Sequence, residues 1–199
     1  MKYDYNSNIQ ITQHFNSKEF RCKCSNPHEF TVIEQLPEKL EALYTKLSKS
    51  KFGCSRIIIT SGYRCANHDK AVGGTGVGKH TEGYAADIVC YGSNGKAIES
   101  KYICCVAQDV GFPAIAKIDN TAVHVDVRFF GGWYGDETVT TNYSVTQDFY
   151  DYFDISPNDI YPKSGDVTTS TTISYKMNEV SSITITGDEV ILILNGTSK

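Results

Sequence analysis

Two histidines and an aspartate in this chain have the types and setting of metal ligands. His80 and Asp87 stand seven residues apart in Gly78-Lys79-His80-Thr81-Glu82-Gly83-Tyr84-Ala85-Ala86-Asp87-Ile88, with small residues between them. His124 stands in the alternating stretch Ala122-Val123-His124-Val125-Asp126-Val127. Neutral imidazoles and a carboxylate suit Zn2+, and three protein ligands with an open water position mark a catalytic rather than a structural zinc site. Taken singly, each histidine reads more readily as a surface or satisfied core residue than as a ligand. Asp87 carries more weight, because a carboxylate flanked by Ala86 and Ile88 is costly to bury unless it is paired or metal-bound.

The elements that must position these residues can be read from periodicity. Arg56 to Thr60 is a buried-type β-branched strand that runs into the turn Ser61-Gly62-Tyr63-Arg64. Residues 84 to 91 form a strand that carries Asp87 inward. His124 and Asp126 lie two apart on a third strand and so share a face. Val72 to Gly78, with four glycines in seven residues, is a loop on the rim that positions His80, and it lacks the Gly-Lys-Ser/Thr of a phosphate loop. Residues 34 to 49 read as an amphipathic packing helix, with Leu36, Leu40, Leu43, Tyr44 and Leu47 on one face and Pro37 in the first turn. A second helix runs roughly from Gly95 to Asp109, with Ile98, Tyr102, Cys105 and Val106 on its core face and Gly111 after its end. The expected fold is α+β: a small central antiparallel or mixed sheet bears the zinc site, and helices cover one face.

The order Ser61-Gly62-Tyr63-Arg64, Asn67, Val72-Gly73-Gly74, His80-x-x-Gly83-x-Ala85-x-Asp87-Ile88 and Val123-His124-Val125-Asp126-Val127-Arg128 resembles the LAS-type zinc peptidases over roughly residues 12 to 134. These are D-Ala-D-Ala carboxypeptidases and L-alanyl-D-glutamate endopeptidases that cut peptidoglycan stem peptides. The resemblance implies that His80, Asp87 and His124 bind Zn2+ and that Arg64 holds a substrate carboxylate. A guanidinium presents a planar fork that matches a carboxylate bidentately; a surface ion pair is the alternative for Arg64. Many members place an acidic general base three residues before the final histidine, where this chain has Thr121. Asp126 and Asp119 are the candidates for that role, with Glu82 third, and Asp126 could instead orient a ligand. Trp133 and Tyr134 could wall a substrate groove or pack in the core. The signalling domain of hedgehog proteins resembles the same family, so the alternative function is a zinc-stabilised binding module with weak or no turnover.

Composition excludes other classes. The formal net charge is -4 and no basic run is visible, which argues against a nucleic-acid partner. No apolar segment approaches a membrane span of about 20 residues. The start, Met1 to Asn6, has no apolar core of a signal peptide. An enzyme made in the cytoplasm and released to the wall as a phage lysin, through a holin or on lysis, fits that start. Most of the seven cysteines read as reduced, small buried hydrophobes. Cys22-x-Cys24, with His28 as the one other nearby ligand, matches a second zinc site only weakly. Residues 1 to 162 make the expected peptidase domain. Residues 163 to 199 read as a small β-rich extension for cell-wall binding or self-association, with strands at Ile173 to Tyr175, Ser182 to Thr186 and Glu189 to Leu194 and a hairpin turn at Gly187-Asp188.

Overall fold

The computed structural model describes residues 1–139, 144–145 and 148–162, together with the backbone of strands Val180–Thr186 and Glu189–Leu194. The chain forms two units, Met1–Tyr161 and Pro162–Lys199.

In the first unit a five-stranded sheet is built from β3 (Arg56–Ser61), β4 (Ala85–Tyr91), β5 (Ala114–Lys117), β6 (Ala122–Asp126) and β7 (Trp133–Asp136), in the order β3-β4-β6-β5-β7. All neighbours are antiparallel except β5 and β7, so the sheet is mixed and the class is α+β. A small pair, β1 (Lys2–Tyr3) with β2 (Phe30–Thr31), fastens the N-terminal arm. Side chains alternate across a strand, and here the alternation separates core from chemistry. Ile57 and Ile59 on β3, Ala86, Ile88 and Cys90 on β4, Ile115 on β5, and Val123 and Val125 on β6 join one buried cluster. Asp87, His124 and Asp126 point to the other face.

Two helices cover the apolar face. Helix α1 (Gln35–Ser48) buries Leu36, Leu40, Leu43 and Leu47, and packs on α4 (Ser100–Val110), which lies on β5 and β6. Truncating one of these leucines to alanine should cost about 2–5 kcal/mol. Tyr44 of the expected stripe is only half-buried and stacks with His14. Helix α4 starts five residues later than its periodicity suggested. Residues 92 to 98 instead fold back on β4, where the Gly92 and Ile98 amides donate to the Lys96 and Cys90 carbonyls. Ile98 is therefore buried outside the helix, and Ile103, Cys104 and Ala107 join the face that packs.

Three short helices escaped the periodicity because none completes two turns: α2 (Ala66–Ala71), α3 (Lys79–Glu82) and α5 (Phe149–Phe153). Trp133 and Tyr134 begin strand β7. Tyr134 stacks on Phe149 at 4.9 Å and belongs to the core, while Trp133 donates its indole N–H to Ser144.

In the second unit, β8 (Val180–Thr186) pairs antiparallel with β9 (Glu189–Leu194). The expected strand at Ile173 to Tyr175 and the turn at Gly187-Asp188 lie outside the described residues. Among the described residues, no helix is long and apolar enough to cross a membrane.

Candidate metal centre

Sheet register brings two of the three expected ligands face to face. Asp87 on β4 is the direct cross-strand partner of His124 on β6, and Ser61 of β3 flanks Asp87 on the other side after a register shift between Ile59 and Ser61. Directly opposed antiparallel residues project side chains to the same face at close range. His80 arrives from the short helix α3. That helix stops at Gly83, which takes the left-handed conformation (φ 80°) that a side chain would oppose.

The resulting geometry is a compact triangle. His80 Nε2 lies 3.2 Å from His124 Nδ1 and 3.2 Å from Asp87 Oδ1, and His124 Nδ1 lies 3.0 Å from Asp87 Oδ1. The outer nitrogens are already committed. His80 Nδ1 is 2.8 Å from the Gly62 carbonyl oxygen, which can only accept, so that nitrogen carries the proton. His124 Nε2 faces Asp126 Oδ2 at 3.3 Å, so its proton belongs there. Two imidazole lone pairs and a carboxylate oxygen therefore converge with no proton left between them. Such a concentration of acceptors demands positive charge: a proton on His124, or a cation. The protein's response shows the demand. Burial alone would lower the His124 pKa, but its bonds to Asp126 and Asp87 raise it to about 9. Burial alone would raise that of Asp87, but a proton on either neighbouring imidazole, His124 first and then His80, would bond to its carboxylate and hold its pKa well below the usual carboxylate range.

The triangle also has the right dimensions. A tetrahedral ion bound to nitrogen and oxygen at about 2.0–2.2 Å sets its ligands about 3.3 Å apart, and the three separations here are 3.0–3.2 Å. The donor set and its spacing fit zinc. Among the described residues, two groups have ligand atoms close enough to share one ion, and His80, Asp87 and His124 form one of them.

The surroundings brace the triangle. Asp126 is fully buried, and its carboxylate takes the Arg128 guanidinium as well as His124. Burial would raise its pKa; the bond from Arg128, then that from His124, lower it to about 2. Asp126 thus sits behind the His124 ring and orients it. Arg64 lies between two carboxylates: Nη2 pairs with Asp87 Oδ2, Nη1 is 3.3 Å from Asp69 Oδ1, and Nε donates to Ser61 Oγ at 2.7 Å. Asp69 in turn accepts the Gly76 amide, tying the glycine-rich loop to Arg64.

The remaining acids differ in position. Asp119 builds the β5–β6 turn, where Oδ1 accepts the Thr121 and Ala122 amides at 2.7 Å each. Glu82 is exposed and pairs with Lys79 at 2.7 Å. Glu137, just beyond β7, was not singled out in the sequence, where it stands among turn residues without a motif. Its side chain is exposed, and what burial it has raises its pKa; the charges of His124, Asp87, Arg64 and His80 act on it as well.

A model of the family described as peptidase M15 matches residues 13–126, more than half of the 199-residue chain. The curated proteins contain no match to it.

Proposed function

The chain belongs to the peptidase M15 family, and we propose that it is a zinc-dependent peptidase that hydrolyses a peptide bond in the peptidoglycan stem peptide, as a D-Ala-D-Ala carboxypeptidase or an L-Ala-D-Glu endopeptidase. The observation that carries this reading is the convergence of His80 Nε2, His124 Nδ1 and Asp87 Oδ1 within 3.2 Å of one another, with the outer nitrogen of each imidazole facing an oxygen acceptor.

These three residues would hold the ion, which when bound polarises a carbonyl and makes water acidic enough to attack near neutral pH. Gly62 and Asp126 hold the two imidazoles in the tautomers that binding requires. Glu137 is the acid we assign as general base. It lies within electrostatic reach of all three ligands and of Arg64, and a raised carboxyl pKa suits a group that takes a proton and returns it to the leaving amine. Asp126 is too fully engaged for that task, and Asp119 and Glu82 are committed to a turn and a surface pair. Of the five N–H groups of Arg64, three are used by Ser61, Asp69 and Asp87, which leaves two for a substrate carboxylate. Residues 1–162 carry all of this machinery. We assign residues 163–199 to an accessory role, wall binding or self-association.

Incubation with a soluble stem peptide and with purified peptidoglycan, with and without chelator, tests the reading. Mass spectrometry should find new termini at one stem-peptide bond, and chelation should abolish them. The absence of acid at Thr121 supports the rival reading of a zinc-stabilised binding module. Peptidoglycan that is bound but never cut would decide for the module and against the peptidase.

A further inference from the structure

The other group with converging ligand atoms is Cys22, Cys24, His28 and Cys65, whose sulfurs and imidazole nitrogen all lie within 4.8 Å of one another. We propose that these four residues bind a second, structural zinc ion, which fastens the irregular segment 21–29 to the turn that carries Gly62 and Arg64.

The donor set is three thiols and one imidazole, a closed tetrahedral set with no position left for water. With bonds of about 2.3 Å to sulfur and about 2.0–2.1 Å to nitrogen, such an ion sets its ligands about 3.3–3.8 Å apart. Cys24 Sγ lies 3.2 Å from His28 Nε2 and 4.0 Å from Cys65 Sγ. The sulfurs are not bonded to each other: none of the cysteines is in a disulfide, and 4.0 Å is about twice an S–S bond. The imidazole is held for the purpose. His28 Nδ1 lies 2.7 Å from the Glu29 carbonyl oxygen, so it carries the proton and leaves the Nε2 lone pair facing the sulfurs. Two sulfurs also receive backbone donors, Cys22 from the Cys65 amide and Cys65 from the His68 amide, each at 3.4 Å. Donors aimed at sulfur favour the thiolates that zinc requires, and binding would release the three thiol protons.

The position gives the ion a purpose. Residues 21–29 contain no helix or strand, and most of them are exposed. Such a segment has little buried apolar surface to offset the entropy of ordering it. Its own contacts with the strand and turn there are few: the Cys22 sulfur accepts the Cys65 amide at 3.4 Å and the Lys23 ammonium donates to the Ile59 carbonyl at 3.4 Å, while the residue just before it, Phe20, accepts the Tyr63 amide at 2.7 Å. Gly62 orients His80, and Cys65 directly follows Arg64. A metal crosslink from Cys22, Cys24 and His28 to Cys65 would hold both active-site supports in place from behind.

Metal analysis of the full chain, purified under reducing conditions with zinc, tests the proposal without reference to activity. We expect about two zinc ions per chain, one per ligand group. His124→Ala should lose one of them, and Cys24→Ser or Cys65→Ser should lose the other. Because the serine variants could fail to fold, the unaltered chain is also loaded with cobalt(II). A thiolate-to-cobalt charge-transfer band is expected, which two histidines and an aspartate cannot produce, and His28→Cys should keep and intensify it. The proposal is overturned by a single zinc that disappears with His124→Ala, by a cobalt spectrum without the thiolate band, or by a disulfide among Cys22, Cys24 and Cys65 in the reduced preparation.

Discussion

The two ligand groups of this molecule differ in how they are built. Asp87 and His124 stand on adjacent strands of a sheet whose other face is buried, and their opposition follows from register alone. The cysteine group is scattered over an irregular segment and the end of a turn. The first gathers three ligand residues, two imidazoles and a carboxylate; the second gathers four, three of them thiols, a number that would close a tetrahedral shell. A rigid scaffold can leave a coordination position open, because the fold already fixes the ligands. A loop without a core needs every coordination bond to hold its own shape.

Removing a ligand of the sheet-based group probes that contrast most severely. His80→Ala, Asp87→Ala and His124→Ala should each lose the bound ion and reduce stem-peptide cleavage to background, while the chain stays folded on its buried sheet face. Circular dichroism and metal analysis on the same samples check this. Full zinc occupancy in any of the three would remove that residue from the site, and loss of the fold would deny the scaffold its independence.

Next in size is Glu137→Gln. The carboxyl lies within electrostatic reach of the site but is not in its ligand group, so the metal should stay and the turnover fall by about two to four orders of magnitude. Unchanged kcat would send the search for the base elsewhere.

Asp126→Asn acts through His124 rather than on substrate. About a ten- to hundredfold loss of metal affinity or activity is expected, to be read by competition with a chelator of known affinity. A variant that keeps full affinity and activity would show that Arg128 and the strand alone hold the imidazole.

Asp119→Ala should matter less still. It removes the acceptor for two turn amides, which should lower stability by about 1–3 kcal/mol and leave kcat alone. Thermal melting and kinetics separate the two effects, and a large fall in kcat in folded protein would restore Asp119 as a base. The smallest effect is expected from ending the chain after Pro162. No residue assigned to the chemistry lies beyond that point, so cleavage of a soluble stem peptide should persist. Its loss from a folded truncated chain would mean that residues 163–199 contribute to the site.

Much of this was legible locally. Alternation in Ala122 to Asp126 put His124 and Asp126 on one face, and the structure has them 3.3 Å apart. The leucine spacing in α1 and Gly111 after α4 marked real elements, because helix periodicity and chain termination depend on nearby residues. The failures were non-local or short. Helix α4 began late because residues 92–98 found backbone partners on β4. Strand β7 escaped because its parallel pairing with β5 crosses the intervening β6 hairpin. Cys22, Cys24 and His28 made a weak motif because their fourth companion, Cys65, lies 41 residues beyond Cys24.

Sequence by itself determined the kinds of atom available: an imidazole and a carboxylate on strands of recognisable pattern, a second imidazole beside a glycine-rich loop, and an excess of cysteines without a repeating pattern. It also determined that the strand around His124 had to bury one face, since apolar and polar residues alternate from Ala122 to Val127. Only the tertiary structure decided which nitrogen of each histidine faces the site, which strand residue opposes which, that Asp126 lies against both His124 and Arg128, and that Cys65 meets Cys22 and Cys24. The physical reason is that residue type and period act over a few neighbours, whereas register and loop approach are set when one face of the sheet is buried. A register slip of one residue would turn Asp87 into the core and dissolve the site.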